Sequence, residues 1–196
     1  MQLNLADPIY GQLAGFSGRL SKLLGHRTTQ TDRAVQGTLD EFLGALYALK
    51  FAQIQGFADR PVGNDIELKV LKDRSAALAN GDVRTDGKWI AGFHFNSALL
   101  RLSAVYHRSL KVVTGNIGKG KMDIPPLLTE LDDPSRFPKW AGHAWSRANV
   151  ARVHREVNKF KHTAEGLNAG RDVPYAVAVE AVNELLVLLE TWPPLT

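Results

Sequence analysis

Apolar residues recur along this chain at intervals of three and four, the period of a helix with one face on a core. In "RAVQGTLDEFLGALYALKFAQIQGF", Leu39, Phe42, Leu43, Leu46 and Leu49 keep that spacing, which predicts a helix from Thr31 or Asp32 to the break at "DRPVGN". An earlier helix is predicted through "IYGQLAGFSGRLSKLLG", capped by Asp7-Pro8 and stopped near Gly25, proline being tolerated in an opening turn. "DIELKVLKDRSAALANG" reads as a shorter helix ending at Asn80-Gly81. A long helix follows from about Asp86 to Val113, then a Gly- and Pro-rich stretch from Gly115 to Gly142 around a helical turn "LLTEL". A fifth helix is predicted from roughly His143 to Ala164, and a last one in "VPYAVAVEAVNELLVLLETW", capped by Asp172. No strand pair, repeat period or low-complexity tract interrupts this pattern. The expectation is one all-α domain over residues 1–196, a bundle of about six helices.

At 196 residues the chain can bury one core, and 44% apolar with 22% charged residues is ordinary for a globular protein. No window approaches the 18 or more apolar residues of a membrane span, and the N-terminus lacks the pattern of a signal peptide. With no cysteine there is no disulfide framework. These features lead us to expect a cytoplasmic protein with no membrane partner. The net charge of +4 is mild but uneven: from Arg136 to Arg171 there are eight Lys or Arg against two acids, Glu156 and Glu165. Such a cluster attracts polyanions.

That cluster sits on the fifth helix. At 100° per residue, Val150, Val153, Val157 and Phe160 form one apolar stripe. His154, Asn158 and His162 make an i, i+4, i+8 ladder beside it, and Arg155 lies about 20° in phase from His162. "REVNKFKH", residues 155–162, therefore places Arg155, Asn158 and His162 on a flank suited to a cleft wall. The fourth helix is apolar nearly all round, with Phe93, Phe95, Leu99, Leu100, Leu102, Val105 and Tyr106 among its residues. That profile predicts a central, buried position. Yet His94, Ser97, Arg101 and Arg108 share one phase on it. Burying an arginine unpaired is costly, so this stripe meets carboxylates, lines a cleft or forms a subunit interface. Glu41, Glu67, Glu180 and Glu184 are available partners.

An all-helical chain with Arg, four to six residues and then His on a late helix resembles the HEPN superfamily. The resemblance is carried by Arg155 and His162, with Asn158 and Lys161 between them, and covers about residues 88–192; the helices in 1–80 are not placed by it. The Arg-to-His spacing occurs five times, at 19–26, 101–107, 136–143, 147–154 and 155–162, and helical phase with polar company favours the last. After the arginine, where active members usually carry Asn, Asp or His, this chain has Glu156.

Many members of that superfamily are metal-independent endoribonucleases of toxin–antitoxin and antiviral (antiphage) systems, and others are inactive binding modules. The resemblance implies RNA as the substrate, with no cofactor and no metal. It implies a homodimer whose two motifs face one cleft, and a cognate antitoxin or other protein partner. It further implies that His162 moves a proton at the 2′-hydroxyl or the leaving oxygen. Arg155 would hold the phosphate, Asn158 would position the backbone, and Lys161 would add positive field. Lys159, Arg152, Arg101 and Arg108 complete the expected nucleic-acid-binding set. The alternative is a catalytically silent helical module that binds RNA, a nucleotide or a protein partner. In a third reading Arg and His only satisfy buried carboxylates.

"GNIGKGKM", residues 115–122, nearly spells a P-loop, but Met122 stands where that loop needs Ser or Thr, and Asp123-Ile124-Pro125-Pro126 follows. A connector is the expectation. His154 and His162 are about 12 Å apart along the helix axis, too far to share one metal ion. Trp140 and Trp145, beside the basic segment, are expected to be core anchors before they are base-stacking platforms.

Overall fold

The computed structural model describes residues 8–25, 33–54, 87–118, 120, 122–137, 145–162 and 172–190, without the side chains of 8–10, 24–25, 33, 87–91 and 160–162. The described residues form an all-helical bundle: α1 (Pro8–Gly25), α2 (Arg33–Ile54), α3 (Gly87–Val113), α4 (Ile124–Leu131), α5 (Ala148–His162) and α6 (Tyr175–Glu190). The expected third helix, in 65–81, lies outside the described residues. What reads as a turn at "LLTEL" is instead a full helix, α4, begun with prolines in its first turn, where their missing N–H groups cost nothing.

α3 is the centre, packing on α2, α4, α5 and α6. Its buried side chains, Phe95, Ala98, Leu99, Leu102, Val105, Tyr106 and Leu110, join Phe42, Leu46 and Leu49 of α2 and the Val150, Val153, Val157 stripe of α5 in one core. The helix is not buried all round, however. Phe93 and Leu100 are exposed, because the described helices cover only part of its circumference. The most extensive seam is α2 on α3. Gly44, Ala48 and Ala52 of α2 recur every four residues, which lets the two helices approach closely. A Cβ at Gly44 would stand 2.7 Å from Arg101 Nη1.

Long-range polar bonds fix the outer helices. Arg19 of α1 grips both carboxylate oxygens of Glu190 of α6 at 2.7 Å and reaches Asn183 Oδ1 at 2.9 Å. The hydrogen bond with Glu190 holds the Arg19 guanidinium's pKa above its ordinary value. Tyr175, at the start of α6, stacks on Phe95 and donates its hydroxyl to the Leu49 carbonyl at 2.8 Å. That helix opens after Pro174, whose carbonyl accepts from Val177 and Ala178, and not directly after Asp172.

The P-loop-like stretch is a helix stop. Asn116 N–H donates to Lys111 O and Gly115 N–H to Val112 O, with Gly115 at φ +70°: the paired bonds of a Schellman motif ending α3. A phosphate there would meet the carbonyl end of a helix, the end that repels anions. Asn116 Nδ2 then donates to Glu130 Oε2 at 2.6 Å, and Arg136 pairs with the other oxygen of that carboxylate, so the segment is tied to α4.

Candidate functional site

α5 begins at Ala148, later than its sequence pattern suggests, and Trp145, Ser146 and Arg147 are not helical. The cause is Glu184, a buried residue of α6. Its carboxylate accepts from the backbone N–H of Asn149 at 3.3 Å and of Val150 at 2.8 Å, from Asn149 Nδ2 at 3.0 Å and from Ser146 Oγ at 2.9 Å. An acid from another helix thus caps α5, meeting orphan donors and the positive end of the helix dipole. Trp145 Nε1–H donates to the Glu184 carbonyl at 3.0 Å, and Arg147 grips Asp132 with two bonds of 3.1 and 3.2 Å. Trp145 is therefore a core anchor, with Arg147 over its ring.

Beyond this cap, α5 has two polar flanks. On the inner one, His154 Nδ1 lies 2.9 Å from Ser103 Oγ of α3, and His154 Nε2 lies 2.8 Å from Asn158 Nδ2. With the amide nitrogen donating to Nε2, Nδ1 carries the ring proton and donates to Ser103. The edge of this ring meets Tyr106, centroids 5.8 Å apart. The Tyr106 hydroxyl is buried and has no hydrogen-bond partner among the described residues. Burial first, with the fields of Glu184 and Asp132 added, pushes its pKa up to about 12 against the opposing field of Arg147.

On the outer flank, Arg155 and Lys159 are 66% and 62% exposed. Lys159 Nζ reaches both oxygens of Glu156 at 2.9 and 3.0 Å, and Arg155 Nε stands 3.6 Å from Glu156 Oε1. Glu156, which departs from the HEPN pattern, is thus the carboxylate shared by the two cations. Arg152 is half-buried and lies within about 60° of both in helical phase.

The expected constellation is therefore divided. Asn158 is bonded to His154 on the inner flank, while Arg155 pairs with Glu156 on the outer one. The side chains of Lys161 and His162 lie outside the described residues, but the α5 backbone continues through His162. Arg101 and Arg108 are not brought to α5. They lie about 200° and 140° around α3 from Ser103, the residue that faces α5. Arg101 bonds Glu41, one of the carboxylates available to it, at 3.2 Å in a pair that is partly in solvent, and Arg108 is exposed. Glu184 caps a helix instead, Glu180 accepts from Gln12 at 3.5 Å, and Glu67 lies outside the described residues.

Sequence reasoning missed Ser103 and Tyr106 as partners of His154, since both fall in the apolar phase of α3. Among the described residues no group of three His, Asp or Glu is placed to hold a metal, and no helix is long and apolar enough to cross a membrane. No protein-family model, curated protein or solved structure matches this chain.

Proposed function

We propose that this chain is a HEPN-like helical protein that acts on RNA, holding the phosphate backbone along the outer flank of α5. The observation that carries this reading is the pair Arg155 and Lys159, one turn apart and largely in solvent, with Arg152 beside them and a single acid, Glu156, among the three. Guanidinium and ammonium groups so placed bind phosphate oxygens without reading sequence. The binding is salt-dependent, with a log–log slope of about −0.7 per phosphate neutralised on a single strand. Fluorescence anisotropy with single-stranded RNA at low and moderate salt tests it. Binding that weakens steeply with salt is expected, and no binding at low salt contradicts it.

The second reading is metal-independent cleavage, favoured by one observation: α5 runs unbroken through His162, so the phase of about 20° between Arg155 and His162 is kept. In that reading His162 takes the proton of the 2′-hydroxyl as that oxygen attacks phosphorus, the P–O5′ bond breaks, the departing 5′-oxygen takes a proton from water, and Arg155 offsets charge on the phosphate oxygens. Incubation of RNA with the protein in EDTA, beside His162→Ala, separates the two readings. Cleavage to 2′,3′-cyclic phosphate ends that disappears in His162→Ala, with binding retained, supports the enzyme. RNA that is bound but left intact by the wild type leaves the binding module.

A further inference from the structure

The exposed apolar side chains of this chain are not scattered. Of the six large hydrophobic residues exposed among the described residues, four lie on the outer face of the α2–α3 pair: Tyr47 (55%), Phe51 (49%), Phe93 (63%) and Leu100 (40%). Tyr47 and Phe51 are four residues apart on α2, Phe93 and Leu100 seven apart on α3, so each pair stays within about 40° on its own helix. Phe51 stacks on His94 at 5.3 Å, and Phe93 meets the same ring edge-on, so the two pairs adjoin across the seam. With about 200 Å² for a whole aromatic side chain, these four leave roughly 400 Å² of apolar surface, within the range that marks functional patches.

We propose that this face docks a second copy of this chain, joining two α2–α3 pairs into a four-helix bundle about a two-fold axis parallel to the helices. Charge complementarity selects the occupant and the axis. The contacts of Arg101 with Glu41 and Gly44, and of Phe51 with His94, show that α2 and α3 run antiparallel, one residue up α2 matching one residue down α3. Arg108 is then level with Gly37, about 4.5 Å along the axis from Asp40. Asp40 and Arg108 are exposed, and neither has an ion-pair partner among the described residues.

A two-fold axis parallel to the helices keeps every height and lays each α2 on the partner's α3. Asp40 then meets the partner subunit's Arg108, twice by symmetry, while Tyr47 and Phe51 meet Phe93 and Leu100 of the partner subunit. An axis perpendicular to the helices that superposes the aromatic clusters leaves both charges at the outer ends without a mate among the described residues. The apolar patch with its charged rim can approach the roughly 800 Å² per partner of a stable interface. The contact is isologous, as a two-fold dimer requires.

Sedimentation equilibrium of the full chain over a wide concentration range tests the proposal, with circular dichroism confirming that each variant folds. The wild type is expected to dimerise. Phe93→Glu, at an exposed position, should weaken the dimer about a hundredfold, and Asp40→Arg or Arg108→Asp about tenfold. Mixing the Asp40→Arg and Arg108→Asp proteins should restore wild-type affinity, because each intersubunit contact then pairs opposite charges again. A wild type that stays monomeric, a dimer that survives Phe93→Glu, or a mixture that does not recover overturns the proposal; in the first case the face belongs to a different partner.

Discussion

On the inner flank of α5, His154 bonds both Asn158 and Ser103 of α3, whereas on the outer flank Arg155 and Lys159 share Glu156 and reach into solvent. The helical wheel separates these groups by only about one residue's rotation. Their surroundings differ more. Ser103 is buried, so its hydroxyl needs a partner inside the protein, and the imidazole supplies one. Nothing in the described structure makes that demand on Arg155 or Lys159. Polar residues on one helix can therefore serve packing on one side and stay in solvent on the other, where the proposed RNA contact falls, and the neighbouring helix decides which.

The largest effect expected from breaking this comparison lies at the cap that orients both flanks. Glu184→Ala should cost about 4 kcal/mol in urea unfolding, since it leaves two backbone N–H groups at the start of α5, a serine and an amide without their acceptor. Glu184→Gln should lose about half as much, because one carbonyl oxygen still accepts. A loss under about 1 kcal/mol for the alanine variant would contradict the cap's role.

Next in size, His154→Ala should destabilise by about 2 kcal/mol through the stranded Ser103 hydroxyl and the lost ring contact with Tyr106. RNA affinity should stay within about twofold of the wild type, as expected for a change away from the phosphate contacts. A large loss of affinity in a folded His154→Ala protein would erase the distinction between the flanks.

Tyr106 gives a smaller and pH-dependent effect. Its folded pKa of about 12 lies above the ordinary 10, so the stability linked to its proton is complete below pH 10 and is lost as pH rises through 12. Tyr106→Phe should be neutral, or stabilising by up to about 1 kcal/mol at pH 7, because it removes a buried hydroxyl without a partner among the described residues. It should also flatten the decline in stability between pH 10 and 12, measured by denaturant titration at stepped pH.

Much of the bundle can be read from the sequence because a period of 3.6 is a local property. The apolar stripes of α1, α2, α3, α5 and α6 each mark the face that the fold buries. The start of α5 cannot be read so, since "HAWSR" continues a helix-compatible pattern and the stop comes from Glu184, 36 residues beyond Ala148. The partner of Asn158 is hidden for the same reason. It stands within reach of both His154 and Arg155 in phase, and Ser103, on another helix, fixes the ring that it bonds. The central place of α3 is legible from its apolar content, but its outward apolar ridge, Phe93 and Leu100, is not. Helical periodicity says which residues share a face, and the number of neighbouring helices decides whether that face is covered.

The division of α5 is tested most directly by the salt dependence of RNA affinity in the Arg155→Ala/Lys159→Ala double variant, measured beside the wild type and His154→Ala. Both outer residues are largely solvated, so their removal should change unfolding stability by less than about 1 kcal/mol. The log–log slope should become shallower by about 1.4, two phosphate contacts fewer, while His154→Ala keeps the wild-type slope. A double variant that binds RNA with the wild-type affinity and slope would contradict the account, and would place any RNA-binding surface away from the outer flank of α5.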